Sequence, residues 1–154
     1  MGVFENQFFA LDATWGRILT LDQLIWRGWR IPNRCCMCKA EAKIVDHIFL
    51  HCLKVQSLWH LIFALFGVQW VLHSIVKGVL LSWCRIFVGK KRKKAWKAAL
   101  LCLFWTIWRE RNRRAFDNCE TMDQLIKNLF LYFLWDWIRL YSGVGSLSLV
   151  DFVD

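Results

Sequence analysis

Four residues of this 154-residue chain have the types and spacing for metal chemistry: Cys35, Cys38, His47 and Cys52, ordered Cys-x2-Cys-x8-His-x4-Cys. Three thiolates and one imidazole are a preferred donor set for structural zinc, which takes four such ligands in a tetrahedron. A Cys-x2-Cys pair closes a tight turn with both sulfurs on one ion, and the His and the last Cys close the site from the other side. Four protein ligands leave no position for a catalytic water, so the expected cofactor is one structural Zn2+ that sets the local fold. His51 lies one helical turn after His47 and shares its face, which makes it a rival to Cys52 as fourth ligand. On an ideal helix, Cys52 is displaced from His47 by about 140 degrees, at about 100 degrees per residue. One ion reaches both only where the backbone departs from that geometry, near a helix end. Cys36 lies between the first two ligands and reads as a bystander. Cys84, Cys102 and Cys119 are far apart and read as buried small hydrophobes.

The elements that must position these residues are mainly helical. Thr20-Leu-Asp-Gln23 fits a capping box that starts a short helix from Leu21 to about Arg27, stopped by Gly28. Pro32-Asn33 marks a turn into the first Cys pair. Asp46 is placed to N-cap a helix from His47 to about Phe66, with Gly67 as its stop. Ser74 is placed to cap a third helix, about Ile75 to Phe87, ended by Gly89. Trp96, Ala99, Leu100, Leu103, Phe104, Ile107 and Trp108 recur at three- and four-residue spacing and predict a fourth helix. Thr121-Met-Asp-Gln124 is a second capping box. It opens a last helix with Leu125, Leu129, Phe133 and Trp137 at four-residue steps, joined by Ile126, Phe130 and Ile138. The tail after Ser142 reads as irregular, with a short strand near Leu147 to Val150. The expected fold is mainly α, a small helical domain with a zinc-binding loop in its N-terminal third. Its expected parts are a zinc-binding domain over 8–66, a helical extension with a basic helix over 67–141, and an irregular tail over 142–154.

Composition narrows the function. Hydrophobic residues make up 57% and 11 residues are Trp, so the chain can bury a core and is not disordered as a whole. Seven Cys is an odd number, and the N-terminus lacks a secretory signal. A reducing, intracellular setting (nucleus or cytoplasm) is therefore expected, where clustered Cys signal metal more than disulfide. The net charge is +9. Residues 90–114 hold ten Lys or Arg and one acid, which is +9; the remainder holds eleven of each sign, which is zero. Lys90, Lys91, Arg92, Lys93, Lys94, Lys97, Arg109, Arg111, Arg113 and Arg114 are thus the candidate contacts to the phosphates of RNA or DNA. Trp105 and Trp108 could stack on unpaired bases if exposed, and otherwise belong to the core. Val55 to Val76 carries no charged residue over 22 positions, but its polar residues and Gly67 argue for a packed helix, and no membrane span is expected. No phosphate loop, HExxH or nucleophile elbow is present, and the carboxylates are scattered, so neither catalysis nor a small-molecule substrate is expected.

The run Gly16-Arg-Ile-Leu-Thr20-Leu-Asp-Gln-Leu24, then Arg27-Gly28, Asn33-Arg-Cys35-Cys-Met-Cys38, Val45-Asp-His47-Ile-Phe-Leu-His-Cys52 and Leu58-Trp59, resembles the zinc-binding domain of plant LINE-type retrotransposon reverse transcriptases. Trp105-Thr-Ile-Trp108-Arg-Glu-Arg-Asn-Arg-Arg-Ala-Phe116 is similar to the segment that follows it in such polyproteins. The resemblance implies Cys35, Cys38, His47 and Cys52 as ligands, with a reverse transcriptase core or nucleic acid as partner. The polymerase domain that lies upstream in that family is absent from these residues. The expectation is a C-terminal remnant that assists nucleic-acid binding. The alternatives are a protein-interaction module with Trp-rich docking faces or a degenerate fragment with no retained role.

Overall fold

A long run of strong helix formers, Ala95, Ala98, Ala99, Leu100, Leu101 and Leu103, uninterrupted by Gly or Pro, builds the helix on which the other elements pack. In the computed structural model, which describes residues 28, 34–40, 46–83, 85–86 and 88–142, the chain runs through one π-helical turn, His47–His51, and four α-helices. These are α1 (Leu53–Phe66), α2 (Val76–Trp83), α3 (Lys93–Phe116) and α4 (Asp123–Ser142). No strand occurs among the described residues. The expected helix after Thr20, the Pro32-Asn33 turn, the strand near Leu147 and Cys84 lie outside the described residues.

Helix α3 is about 36 Å long at 1.5 Å per residue. Ala95, Trp96, Ala98, Ala99, Leu100, Cys102, Leu103, Phe104, Thr106 and Ile107 are all buried, positions that run around most of its circumference. A helix covered on that many sides is a core helix rather than a surface one. Helix α4 packs along it, and the π turn and α1 pack on it as well. Inside, the Thr106 hydroxyl donates to the Cys102 carbonyl one turn back (2.8 Å), which satisfies a buried donor. Burial pushes the Cys102 thiol above its ordinary range and keeps it a neutral small hydrophobe, as expected. Cys119, expected to be buried too, is exposed in the loop after α3.

Aromatic rings fill the space between helices. Trp83 of α2 and Trp96 of α3 stack face to face at 3.8 Å. Each indole N–H donates to the other residue's carbonyl, at 2.8 and 2.9 Å. Both polar tips are therefore satisfied in a buried pair that ties α2 to α3. Trp59 of α1 meets Trp83 and Phe104 edge-on. The tryptophans expected either to stack on bases or to form the core, Trp105 and Trp108, are half-buried and packed against this core.

Several sequence expectations change, among them the third helix, which runs from Val76 to Trp83 rather than to about Phe87. The helix expected from His47 to Phe66 is interrupted at Cys52, whose backbone is extended (φ −61, ψ 128), so α1 begins at Leu53. Its stop is where the sequence puts it: Gly67 adopts the left-handed region (φ 62), and its N–H closes onto the Ala64 and Phe63 carbonyls. Asp46 does not cap the helix it precedes. Its carboxylate instead accepts the N–H of Val76 (2.7 Å), the first residue of α2, across 30 residues of chain. The Thr121–Gln124 capping box does not form either. Helix α4 begins two residues later than Thr121, at Asp123, the Thr121 N–H is held by the Glu110 carboxylate (2.8 Å), and Gln124 donates to Asn128.

Helix α4 carries two adjacent apolar stripes in its sequence, and packing selects between them. Ile126, Phe130, Leu134 and Trp137 are buried, whereas Leu125 of the expected four-residue series is about half exposed (49%). Leu134→Ala should therefore lower stability by about 2–5 kcal/mol as a buried large-to-small change. Leu125→Ala should stay within about 0.5 kcal/mol. Urea unfolding of both variants checks the pair, and equal losses would contradict the packing described.

Candidate metal centre

The first two donors are brought together by a tight turn. The Lys39 N–H donates to the Cys35 carbonyl (2.9 Å), and the Cys35 N–H donates to the Ala40 carbonyl (2.9 Å). Lys39 takes the left-handed conformation (φ 62) that lets the chain reverse, a conformation that usually favours Gly or Asn. Met37 is buried inside the turn and anchors it to the core. The backbone amides of Cys38 and Met37 act to lower the Cys35 thiol from its ordinary value, so the turn favours a thiolate.

The other two donors come from the π turn. Its hydrogen bond runs from the Cys52 N–H to the His47 carbonyl (2.8 Å), an i→i+5 closure. One extra residue per turn brings Cys52 back towards the direction of His47, where an ideal α-helix would carry it well away. Ile48, Phe49 and Leu50 fill the core side of this turn, and the Trp59 indole N–H donates to the Phe49 carbonyl within it (2.7 Å). His51, the rival ligand, points elsewhere: its Nε2 is hydrogen-bonded to the Ser74 carbonyl at 2.8 Å. The geometry thus favours Cys52 over His51.

One donor atom from each of Cys35, Cys38, His47 and Cys52 lies within 4.8 Å of all the others. The Cys35 and Cys52 sulfurs are 3.9 Å apart, and Cys38 Sγ is 3.4 Å from His47 Nε2. A zinc tetrahedron with Zn–S of about 2.3 Å and Zn–N of about 2.0–2.1 Å has S–S edges of about 3.8 Å and S–N edges of about 3.5 Å. The two observed edges match those values. They do not match a disulfide, whose sulfurs lie about 2.05 Å apart, and all four cysteines of the 35–52 segment are free thiols. The hydrogen bond shared with Cys52 holds the Cys35 thiol down to about 4, aided by the Cys38 and Met37 amides and by His47, against the effect of burial. The same hydrogen bond and burial push Cys52 up. The Cys35–Cys52 pair thus shares one readily formed thiolate for a metal. Cys36 is half-buried; burial pushes its thiol up, with the Arg111 and Arg114 guanidiniums acting against that. It is not among the four donors.

The ten basic candidates separate into two groups at opposite ends of α3. Lys90, Lys91, Lys93, Lys94 and Lys97 are exposed or half-exposed at or near its N-terminus. Arg92 is half-buried and donates to the Phe66 carbonyl at the end of α1 (3.5 Å). At the C-terminal end only Arg109 is exposed, with its guanidinium over the Phe133 ring at 5.5 Å. Arg113 is half-buried. Arg111 is 2% exposed, lies over the Trp108 ring at 4.7 Å and donates to Asn112 (3.0 Å). Arg114 has a side chain only 4% exposed and pairs with Glu110 at 2.7 Å. Arg111 and Arg114 are thus placed in the interior, where a phosphate backbone does not reach. Arg114 reaches the Cys turn and the loop after α3, and Arg111 lies against the Trp108 and Phe116 rings.

Arg114 is the residue whose role the sequence did not reveal. Besides Glu110, it donates to the Met37 carbonyl in the Cys turn (3.1 Å) and to the Thr121 carbonyl before α4 (3.1 Å). Removing one partner of such a buried, hydrogen-bonded ion pair costs about 3–5 kcal/mol. The available signal was the Glu110/Arg114 spacing of four, which also fits an ordinary surface pair. Two exposed pairs span the same junction: Lys39 with Glu120 and Lys54 with Asp123, both at 2.6 Å.

A family model described as zinc-binding in reverse transcriptase matches residues 2–59, a segment that contains all four donors. No curated protein and no solved structure matches the chain. Match and geometry agree on the same residues: the segment 2–59 of this chain is a zinc-binding domain of the reverse transcriptase family.

Proposed function

We propose that the chain is a non-catalytic domain that holds one structural zinc ion through Cys35, Cys38, His47 and Cys52 and presents a lysine cluster to nucleic-acid phosphates. The zinc reading is carried by the convergence of the four donor atoms within 4.8 Å. Four protein donors complete a tetrahedron, which is the pattern of structural rather than catalytic zinc. The LINE-type origin rests on the order of motifs from Gly16 to Trp59.

The nucleic-acid reading is carried by charge placement. No Asp or Glu occurs between Asp46 and Glu110, and the first turn of α3 has no acid to complement its positive dipole end. Lys93 and Lys94 instead add charge of the same sign there, which is unfavourable until an anion arrives. A phosphate backbone satisfies both the lysines and the helix end. Among the described residues no helix is long and apolar enough to cross a membrane. Trp59, Trp83, Trp96 and Trp137 are buried, which supports nucleic-acid contact over a Trp-rich docking face.

Purified protein should contain one zinc per chain by elemental analysis. Cys35→Ser, Cys38→Ser, His47→Ala and Cys52→Ser should each lose it, while His51→Ala and Cys36→Ser keep it. Full loading in both Cys35→Ser and Cys52→Ser would overturn the ligand assignment. Acid should release the ion, because protons compete with the metal for the thiolates and the imidazole; a metal content unchanged on acidification would argue against these donors.

The zinc-loaded protein should bind RNA or DNA with an affinity that falls steeply with salt. Replacing Lys90, Lys91, Lys93, Lys94 and Lys97 with Gln should weaken binding and reduce the log–log salt slope by about 0.9 for each duplex phosphate that is no longer neutralised. Fluorescence anisotropy across a salt series checks this, and binding insensitive to salt would sink the phosphate reading.

A further inference from the structure

We infer that Arg114, oriented by Glu110, is a positioning residue of the metal centre, acting on the Cys35–Cys38 turn through the Met37 carbonyl. The inference rests on the zinc reading above. It assigns a part of the site to a helix far beyond the matched segment 2–59.

The guanidinium of Arg114 addresses three separate pieces of chain. Nε donates to Glu110 in its own helix, Nη1 to the Met37 carbonyl, and Nη2 to the Thr121 carbonyl. A guanidinium is a rigid planar fork, so fixing two of its edges fixes the third. Glu110 is fixed in turn, since the same carboxylate oxygen accepts the Thr121 N–H. With both side chains about 95% buried, water does not replace these contacts. The position of the Met37 carbonyl is therefore set by α3 and the loop after it.

That carbonyl matters because of what lies across its peptide. The peptide it belongs to leads directly into the ligand Cys38, and Met37 itself lies between the two ligands of the turn. Arg114 thus fixes the orientation of the turn that carries two of the ligands. Outer partners of this kind orient ligands, and their loss typically costs about 10–100-fold in metal affinity.

The test is zinc affinity of the full chain, measured by competition with a chromophoric chelator, with Co2+ as a spectroscopic reporter of the thiolate site. Arg114→Gln should bind zinc about 10–100-fold more weakly, with altered Co2+–thiolate absorption. Glu110→Gln should show a smaller loss in the same direction. Leu134→Ala, which weakens the α3–α4 packing away from the turn, should lower the urea midpoint but leave zinc affinity unchanged. Parent-like affinity and absorption in Arg114→Gln, with a lowered urea midpoint, would overturn the inference. Should Arg114→Gln not fold, Glu110→Gln decides alone, and parent-like affinity there overturns it equally. A parent chain that takes up no zinc is a different result, one that removes the zinc reading itself.

Discussion

His47 and Cys52 can face one point because the turn between them closes through an i→i+5 hydrogen bond. An α-helical turn over the same residues would send the two side chains apart, and the Cys35–Cys38 turn would then have only one donor opposite it. A π turn is a less favourable backbone state than the α-helix around it, and it recurs at functional sites for that reason. Here it is held from both sides. Ile48, Phe49 and Leu50 anchor it in the core, the Trp59 indole binds its Phe49 carbonyl, and Asp46 at its entrance is tied to the start of α2. A bound ion would add its own free energy to that list. The extended residue at Cys52 then lets α1 restart cleanly, with the Val55 and Gln56 amides closing onto the Cys52 carbonyl.

The metal centre and the helical region form a single structural unit. One hydrophobic cluster runs from Cys35 to Trp137, and the buried Arg114–Glu110 pair joins the Cys turn, α3 and the approach to α4. A buried ion pair is not by itself a strong stabiliser, because both groups lose hydration. Its value lies in direction. Hydrophobic contacts would tolerate small rotations of the Cys turn, whereas three charge-assisted hydrogen bonds from one rigid group do not.

The sequence made the donor set legible because Cys and His at those spacings have few other uses in a reducing setting. The helices were legible from apolar periodicity, and the Gly67 stop from its lack of a Cβ. What escaped was settled by contacts between distant residues. A π turn has no distinct composition, so Cys52 and His51 remained rivals until the packing of Phe49 and the Ser74 carbonyl separated them. Asp46 sits in front of one helix and caps another, because a short carboxylate binds whichever free N–H the fold brings near. On α4 the sequence offered two neighbouring apolar stripes, and only packing shows that Ile126, Phe130, Leu134 and Trp137 are buried while Leu125 is exposed. Arg111 and Arg114 were counted with the surface lysines because charge is visible in a sequence and burial is not.

That last correction alters how α3 is understood. Its two charged ends looked alike in sequence, yet they do opposite work. At the C-terminal end the guanidiniums of Arg111 and Arg114 are drawn inward, where planar donors can be satisfied by carbonyls and rings. At the N-terminal end flexible, strongly hydrated ammonium groups remain outside. Lys94 and Arg114 are about 30 Å apart along the helix axis, several times the screening length of about 8 Å at physiological salt. The charge of a metal-bound cluster at one end therefore exerts little direct pull on the lysines at the other. Any influence of a bound zinc ion on phosphate binding by the lysines would have to travel through folding, from the π turn and the Cys turn to α3, which sets the spacing of the lysines.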